Sequence, residues 1–428
     1  MDFPRLAAGA NLGIAFPTTI EALLSAGPDF LTPAFRATGA LPRHNAVTAI
    51  TGWREFFGGG MGRKLVLNVL YDRAEPHLAT TLFAKFPRDF GDPLRDLFTP
   101  LMEPECRFAL LSRRPDFPIS VPRCYFADYC RDVPSGLLIT ECIPYGVAPV
   151  EPHYDKCVDY DLADPLPHYQ ALTRAMAGLA GAHKSGRLGA DIDREFPFAP
   201  DVQKAGSAIP YTPETLAEKL AVLRCFADEA PNLFEPQLRD PMFLTAFCAE
   251  APLVLQKEAA IRDRLNTRPD EVALCHWNMN LDNAWFWRDG IGNLQTGLLD
   301  WGSVGQMNLA QSFYGMSCAA ETGFIAEHRG QLIDLFVAEY AARGGPALSA
   351  SDFADQVKIA TALLGIAWIL DAPSLVQTEL IEYRSLTGRT DPRLRGNFLA
   401  RAQLQLLMVF LNDWRVGNIG ALLAGLPG

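Results

Sequence analysis

Between Cys275 and Trp301 the chain gathers side chains suited to one kind of chemistry. The run His276-Trp277-Asn278-Met279-Asn280-Leu281-Asp282-Asn283 is followed, past two short apolar stretches, by Leu298-Leu299-Asp300-Trp301. An Asn on a loop and an Asp at the end of a following strand can both reach one cation, and hard oxygen donors suit magnesium. The plainer alternative is an Asn in a turn and an Asp capping a strand end. A zinc centre on Cys275 and His276 is disfavoured, because adjacent residues seldom supply two ligands and no second cluster has suitable spacing.

These residues resemble the aminoglycoside phosphotransferase and choline kinase superfamily, whose catalytic loop reads H-G-D-x-x-x-x-N and whose next strand ends in I-D-W or a close variant. The resemblance covers about residues 40 to 415 and implies ATP and Mg²⁺ as cofactors, with transfer of the γ-phosphoryl group to a hydroxyl of a small molecule. By it, Asn283 and Asp300 are the metal ligands and His276 braces the loop by hydrogen bonding. Asn278 stands where the family places the Asp that accepts or orients the substrate hydroxyl. A carboxamide accepts a hydrogen bond through its oxygen but is not a usable base near neutral pH, and loss of a general base typically costs about 10²- to 10⁴-fold in rate. Three accounts follow. The chain is a slow or differently tuned phosphotransferase, since a loose transition state asks little of the base; Asp282 substitutes as the catalytic carboxylate; or the fold binds nucleotide without phosphorylating anything, as a regulatory pseudokinase. Transfer of AMP, as in some kinase-fold proteins lacking the usual base, is a further variant.

The resemblance sends the search upstream for a glycine turn between two strands, a lysine on the third strand and a glutamate on the next helix. The run Phe57-Gly58-Gly59-Gly60-Met61-Gly62 lies between strand-like stretches, and glycines at positions 58, 59, 60 and 62 (Gly58, Gly59, Gly60 and Gly62) let backbone N–H groups approach phosphates. A flexible hairpin connection has the same composition. Phe83-Ala84-Lys85-Phe86 places a lysine among apolar neighbours, in a pattern like the V-A-I-K motif of kinases, although a lone strand-edge lysine often snorkels. Glu105 is the chosen ion-pair partner for Lys85, with Glu103 the fallback. Leu137 to Ile143 runs into Pro144-Tyr145-Gly146 where kinases place the interlobe hinge, so backbone groups of Glu141, Cys142 and Ile143 would bind adenine.

The elements needed to hold these residues are legible in outline. Thr18-x-x-Glu21 is a capping-box pattern opening a short helix that Gly27-Pro28 stops, with a second short helix after Thr32-Pro33. Strand-like runs follow at 46–51, 65–71, 79–86, 121–127 and 137–142, with a helix-like stretch at 94–112 between the third and fourth. Beyond Gly146 most of the chain has helical period, over 168–185, 213–230, 310–343, 352–370 and 397–414. The exception is a hairpin turning at Asp289-Gly290. The expected class is α+β: a two-lobed protein-kinase-like fold, with a small, mainly antiparallel N-lobe sheet carrying one helix and a larger helical C-lobe. The expected domains are an N-terminal helical extension (1–45), an N-lobe (46–143) and a C-lobe (144–428).

Composition narrows the partners. With 428 residues, 49% hydrophobic and 20% charged, the chain can bury a large core. A net charge of −11 disfavours nucleic acid, whose binding needs a basic face. The densest basic cluster, Arg389, Arg393 and Arg395, reads as a solvated loop around Pro392. Nine cysteines with no C-x-x-C pair fit reduced thiols. No signal-peptide pattern is evident, and the apolar run 359–370 is too short to span a bilayer. The expectation is a cytoplasmic protein with no membrane partner. On the acceptor side, Asp191, Asp193 and Glu195 read as a surface loop, Trp277 stands where the family usually has glycine, and Gly305-Gln306-Met307-Asn308 departs from the common G-D-P.

Overall fold

Alternating apolar residues between position 47 and position 141 build a five-stranded antiparallel sheet. The computed structural model describes residues 4–56 and 62–427. The chain divides into two units, Met1–Glu151 with Gly297–Val304, and Pro152–Thr296 with Gly305–Gly428.

In the first unit a short hairpin, β1 (Leu6–Ala8) and β2 (Ala15–Pro17), precedes α1 (Ile20–Ala37). The sheet then comprises β3 (Val47–Phe56), β4 (Arg63–Tyr71), β5 (Thr81–Phe86), β6 (Cys124–Cys130) and β7 (Ser135–Glu141), in the order β3-β4-β5-β7-β6. One long helix, α2 (Met102–Leu111), lies between β5 and β6 in sequence. The two short helices expected near the N-terminus form one kinked element. Gly27 has φ 50° and ψ −136°, a conformation open to glycine and strained for other residues, and Pro28 starts the second segment. The N-cap is Thr19, whose side chain accepts from Ala22 N–H, rather than Thr18, whose hydroxyl donates to the Pro4 carbonyl at 2.6 Å. Nor does α1 stand off as an extension: its Phe30, Leu31 and Phe35 share a core with Leu65, Leu67 and Phe126. Each such side chain contributes about 1.5–3 kcal/mol by burial. A separate cluster joins Met102 and Cys106 of α2 to Cys124, Ala127 and Leu138 of the sheet.

The second unit is mainly helical. Its principal helices are α3 (Leu166–Lys184), α4 (Pro213–Glu229), α5 (Leu309–Ser317), α6 (Thr322–Ala342), α7 (Ala350–Leu364) and α8 (Phe398–Gly417). The single helix expected over 310–343 is two, because Glu321 caps α6 by accepting from Phe324 N–H. Past α7 the helix widens into a π turn, Gly365–Ile369. The span Ala350–Glu379 is long and apolar enough to cross a membrane, which amends the reading of 359–370 as too short, and most of it is buried inside the protein. Short strands are embedded between the helices: β8 (Val272–Cys275) pairs antiparallel with β11 (Gly305–Asn308), and β9 (Ala284–Arg288) with β10 (Leu294–Leu298), which runs across the boundary between units. All nine cysteines are free thiols.

Candidate active site

Strand β5 and helix α2 bring Lys85 and Glu105 together inside the first unit. Lys85 Nζ lies 3.0 Å from Glu105 Oε1 and 2.8 Å from Oε2, and each side chain is only 4% exposed. The same ammonium is 2.7 Å from Asp300 Oδ1, on the Gly297–Val304 segment. Burial works against the charge on Lys85, but the Asp300 and Glu105 carboxylates outweigh it and hold its pKa above the ordinary lysine range. For Glu105, burial pushes the carboxyl up and Asp300 adds to this, against the pull of Lys85.

Packing explains how Asp300 is held. Trp301 stacks on Phe108 with ring centroids 3.8 Å apart, and its indole N–H donates to the Leu298 carbonyl at 3.1 Å. Phe108 follows Glu105 by three positions on α2, and residues so spaced share a helix face. One face of α2 therefore fixes both the lysine's partner and the segment carrying Asp300. Ser120 reinforces the segment, its carbonyl accepting from Leu298 N–H at 3.0 Å. Asp300 has φ 62°, a left-handed conformation uncommon outside glycine and tolerated best by Asn and Asp. Its side chain is 38% exposed, unlike those of Lys85 and Glu105.

The other first-unit candidates are less pointed. Gly58, Gly59 and Gly60 lie outside the described residues. Gly62 has a packing reason to be glycine, since a Cβ there would fall 2.0 Å from the Phe86 carbonyl oxygen. Glu103 pairs with Arg107 and Arg131 instead of Lys85. At the end of β7, Glu141 N–H donates to the Arg123 carbonyl and Cys142 N–H to the Thr81 carbonyl, while Ile143 accepts from Tyr145 N–H. The N–H groups of Glu141 and Cys142 are thus already engaged.

In the second unit the loop after β8 is braced from several directions. His276 is buried, its Nδ1 accepts from Asn278 N–H at 3.0 Å, and its carbonyl accepts from Ser312 Oγ at 2.6 Å. Asn283 Nδ2 donates to the Asn278 carbonyl at 2.9 Å, which orients the amide and leaves Oδ1 as its acceptor end. Asn280 Nδ2 donates to the Gly315 carbonyl at 2.7 Å. Gly315 must be glycine for the loop to pass, because a Cβ there would sit 1.5 Å from the Trp277 carbonyl oxygen. The Trp277 ring meets Trp368 of the π turn edge-on, with centroids 5.3 Å apart.

Asp282 is turned to a different task from its neighbours. Its carboxylate, 16% exposed, lies 3.4 Å from Lys156 Nζ, which also donates to Asn280 Oδ1 at 3.1 Å. Burial raises the pKa of Asp282 despite Lys156. For Lys156, burial opposes the charge and the Asp282 carboxylate outweighs it. Nearby, burial pushes Asp159 up to about 7, although it accepts from Tyr169 OH at 2.5 Å. Asp193 is no idle surface group: it takes hydrogen bonds from His183 and from Gln306 at 2.9 and 2.8 Å. The second unit also holds a cavity of about 450 Å³, lined among others by Tyr160, Glu235, Glu321, Arg389 and Met408.

Sequence reasoning passed over Lys156, Ser312 and Gly315 because each gains its meaning from a partner more than 30 positions away. It also passed over Lys64, which faces Lys85 across the β4–β5 register. Burial lowers the Lys64 pKa and Lys85 adds to this, while Asp300 and Glu105 oppose it. Among the described residues no cluster of three His, Cys, Asp or Glu side chains forms a metal site.

The first unit thus sets a lysine on the third strand of an antiparallel sheet and pairs it with a glutamate on the helix that follows, in an α+β fold. No protein-family model and no curated protein matches the chain. Among solved structures it is similar to choline kinase from Cryptosporidium parvum Iowa II, with 11% identity and a TM-score of 0.43, covering 86% of this chain and 91% of that one. It is similar also to a choline/ethanolamine kinase family protein from Mesorhizobium loti, with 14% identity and a TM-score of 0.41, covering 91% of this chain and 98% of that one. A third is aminoglycoside 2'-phosphotransferase-IIIa, with 11% identity and a TM-score of 0.37, covering 85% and 94% of the two chains. Likeness at this level leaves the chemistry to be argued from the residues themselves.

Proposed function

We propose that the chain is an ATP-dependent phosphotransferase that moves the γ-phosphoryl group to a hydroxyl of a small molecule. The observation that carries the reading is the buried ammonium of Lys85, fixed between Glu105 and the more exposed Asp300. A lysine so held stays charged and keeps one position, which suits a phosphate contact. Phosphoryl transfer asks little covalent work of the protein; it needs the nucleophile positioned and the negative charge neutralised. Asp300 of the first unit offers a carboxylate oxygen and Asn283 of the second a carboxamide oxygen, and each is a hard donor of the kind that would hold a magnesium ion. When bound, that ion would neutralise charge on the phosphates. Backbone groups of Glu141, Cys142 and Ile143, the engaged N–H groups of the first two excepted, would meet the adenine edge. Asn278 would orient the acceptor hydroxyl by accepting its hydrogen bond, and His276 keeps the loop in place through the Asn278 N–H. The cavity of about 450 Å³, with charges of both signs on its wall, is of a size for a small polar acceptor.

A second reading, a nucleotide-binding module that transfers nothing, is favoured by Asn278 together with the engagement of Asp282 by Lys156. The deciding experiment measures thermal stabilisation by Mg·ATP and then ADP release over a panel of hydroxylated metabolites, for the native chain and Asn278→Asp. A rise of about 10²- to 10⁴-fold in Asn278→Asp supports the phosphotransferase. Binding without ADP release in either supports the second reading, and pyrophosphate release in place of ADP supports AMP transfer. No stabilisation by Mg·ATP at all overturns the nucleotide site.

A further inference from the structure

Lys64 of β4 and Lys85 of β5 are direct partners in the antiparallel register. Residues directly opposite share one face of the sheet with Cβ atoms about 4.5–5.5 Å apart, and like charges placed so repel. Lys64 is half-buried, so water only partly screens it. Its charge interacts with Lys85, Asp300 and Glu105. Two ammonium groups and two carboxylates therefore act on one another within the first unit. The neighbouring Arg63 lies outside this set, since successive strand residues point to opposite faces and its guanidinium is engaged by Glu55, Asp89 and Glu21 at 2.7, 2.9 and 3.1 Å.

This inference rests on the phosphotransferase reading: if Asp300 serves a divalent cation and Lys85 the phosphates, the lysine that faces Lys85 across the register stands beside the same anion. We propose that Lys64 is a second phosphate-binding cation, acting beside Lys85 on the polyphosphate of the nucleotide. It is a positioning and affinity residue for the phosphates, with no part in recognising the base.

The test titrates the full-length chain and its Lys64→Met, Lys64→Gln and Lys64→Arg variants with Mg·ATP, and with adenosine as the phosphate-free probe, by calorimetry and thermal shift. Loss of one charge-assisted contact predicts about 10- to 100-fold weaker Mg·ATP binding for Met and Gln. Adenosine binding should be unchanged, and Lys64→Arg should keep most of the Mg·ATP affinity. Mg·ATP affinity within twofold of the native chain in both neutral variants overturns the proposal alone. Equal loss of adenosine and Mg·ATP binding overturns it too, by making Lys64 a residue that shapes the sheet. Failure of the native chain to bind Mg·ATP overturns the phosphotransferase reading and this proposal with it.

Discussion

Lys85 and Glu105 form a nearly water-free ion pair, so removal of one partner should be felt by the whole first unit. Breaking a buried pair from one side typically costs 3–5 kcal/mol. Because Asp300 still faces the lysine, Glu105→Ala should cost about 3 kcal/mol, measured by urea unfolding. The double variant Lys85→Met/Glu105→Leu should recover most of that loss while losing stabilisation by Mg·ATP; a double variant no better than the single would show that the cavity, not the charge, dominates. Asp159 makes a different prediction at the same scale. Burial, with Asp282 adding to it, raises its pKa from 3.8 to about 7. Between those values the folded chain holds a proton that the unfolded chain has released, so stability falls as pH rises through this window and levels off above it. Asp159→Asn removes the titration while keeping an acceptor for Tyr169 OH. Relative to that variant the native chain should lose on the order of several degrees in Tm between pH 4 and pH 8, and parallel curves would exclude Asp159 as the source.

At the scale of elements, the catalytic-loop candidate depends on helix α5 having no side chain at Gly315. Gly315→Ala would drive a methyl group into the Trp277 carbonyl and should destabilise by about 3 kcal/mol. The control is Gly330→Ala in α6, where an added Cβ meets nothing within 4 Å; it should stabilise by about 0.5–1 kcal/mol. Equal effects in urea melts would deny the close approach. These contacts also show where sequence reasoning reached and where it stopped. Lys85 and Glu105 were legible because residue type and order along the chain single them out. Gly315 was not, because a glycine inside an apolar helix says nothing of the carbonyl that passes over it. The strands were found with edges displaced by a few residues, since pairing and bulges, rather than local propensity, set where a strand ends. The hairpin β1–β2 was missed because three-residue strands carry too little alternation to be seen. The join at Glu321 was hidden in a run whose apolar period continues on both sides of the cap.

For the whole molecule, the notable fact is the path of the chain: Gly297–Val304 belongs to the first unit although it lies between stretches of the second. A cut after Glu151, beside the exposed Pro152, should therefore leave the fragments 1–151 and 152–428 associated, because the second carries a piece of the first unit's core. Co-elution in gel filtration after cleavage at an engineered protease site would bear this out, and Trp301→Ala should loosen the pair by removing the ring stacked on Phe108. Separation of the nicked native chain would contradict the division. Asp300 lies within the same inserted segment, at φ 62°. Glycine there would relieve a conformational cost of about 1 kcal/mol, but it would also take from the buried Lys85 one of the two carboxylates that hold its charge, which outweighs that relief. Position 300 is therefore one where a strained backbone is retained for the charge that it sets beside Lys85.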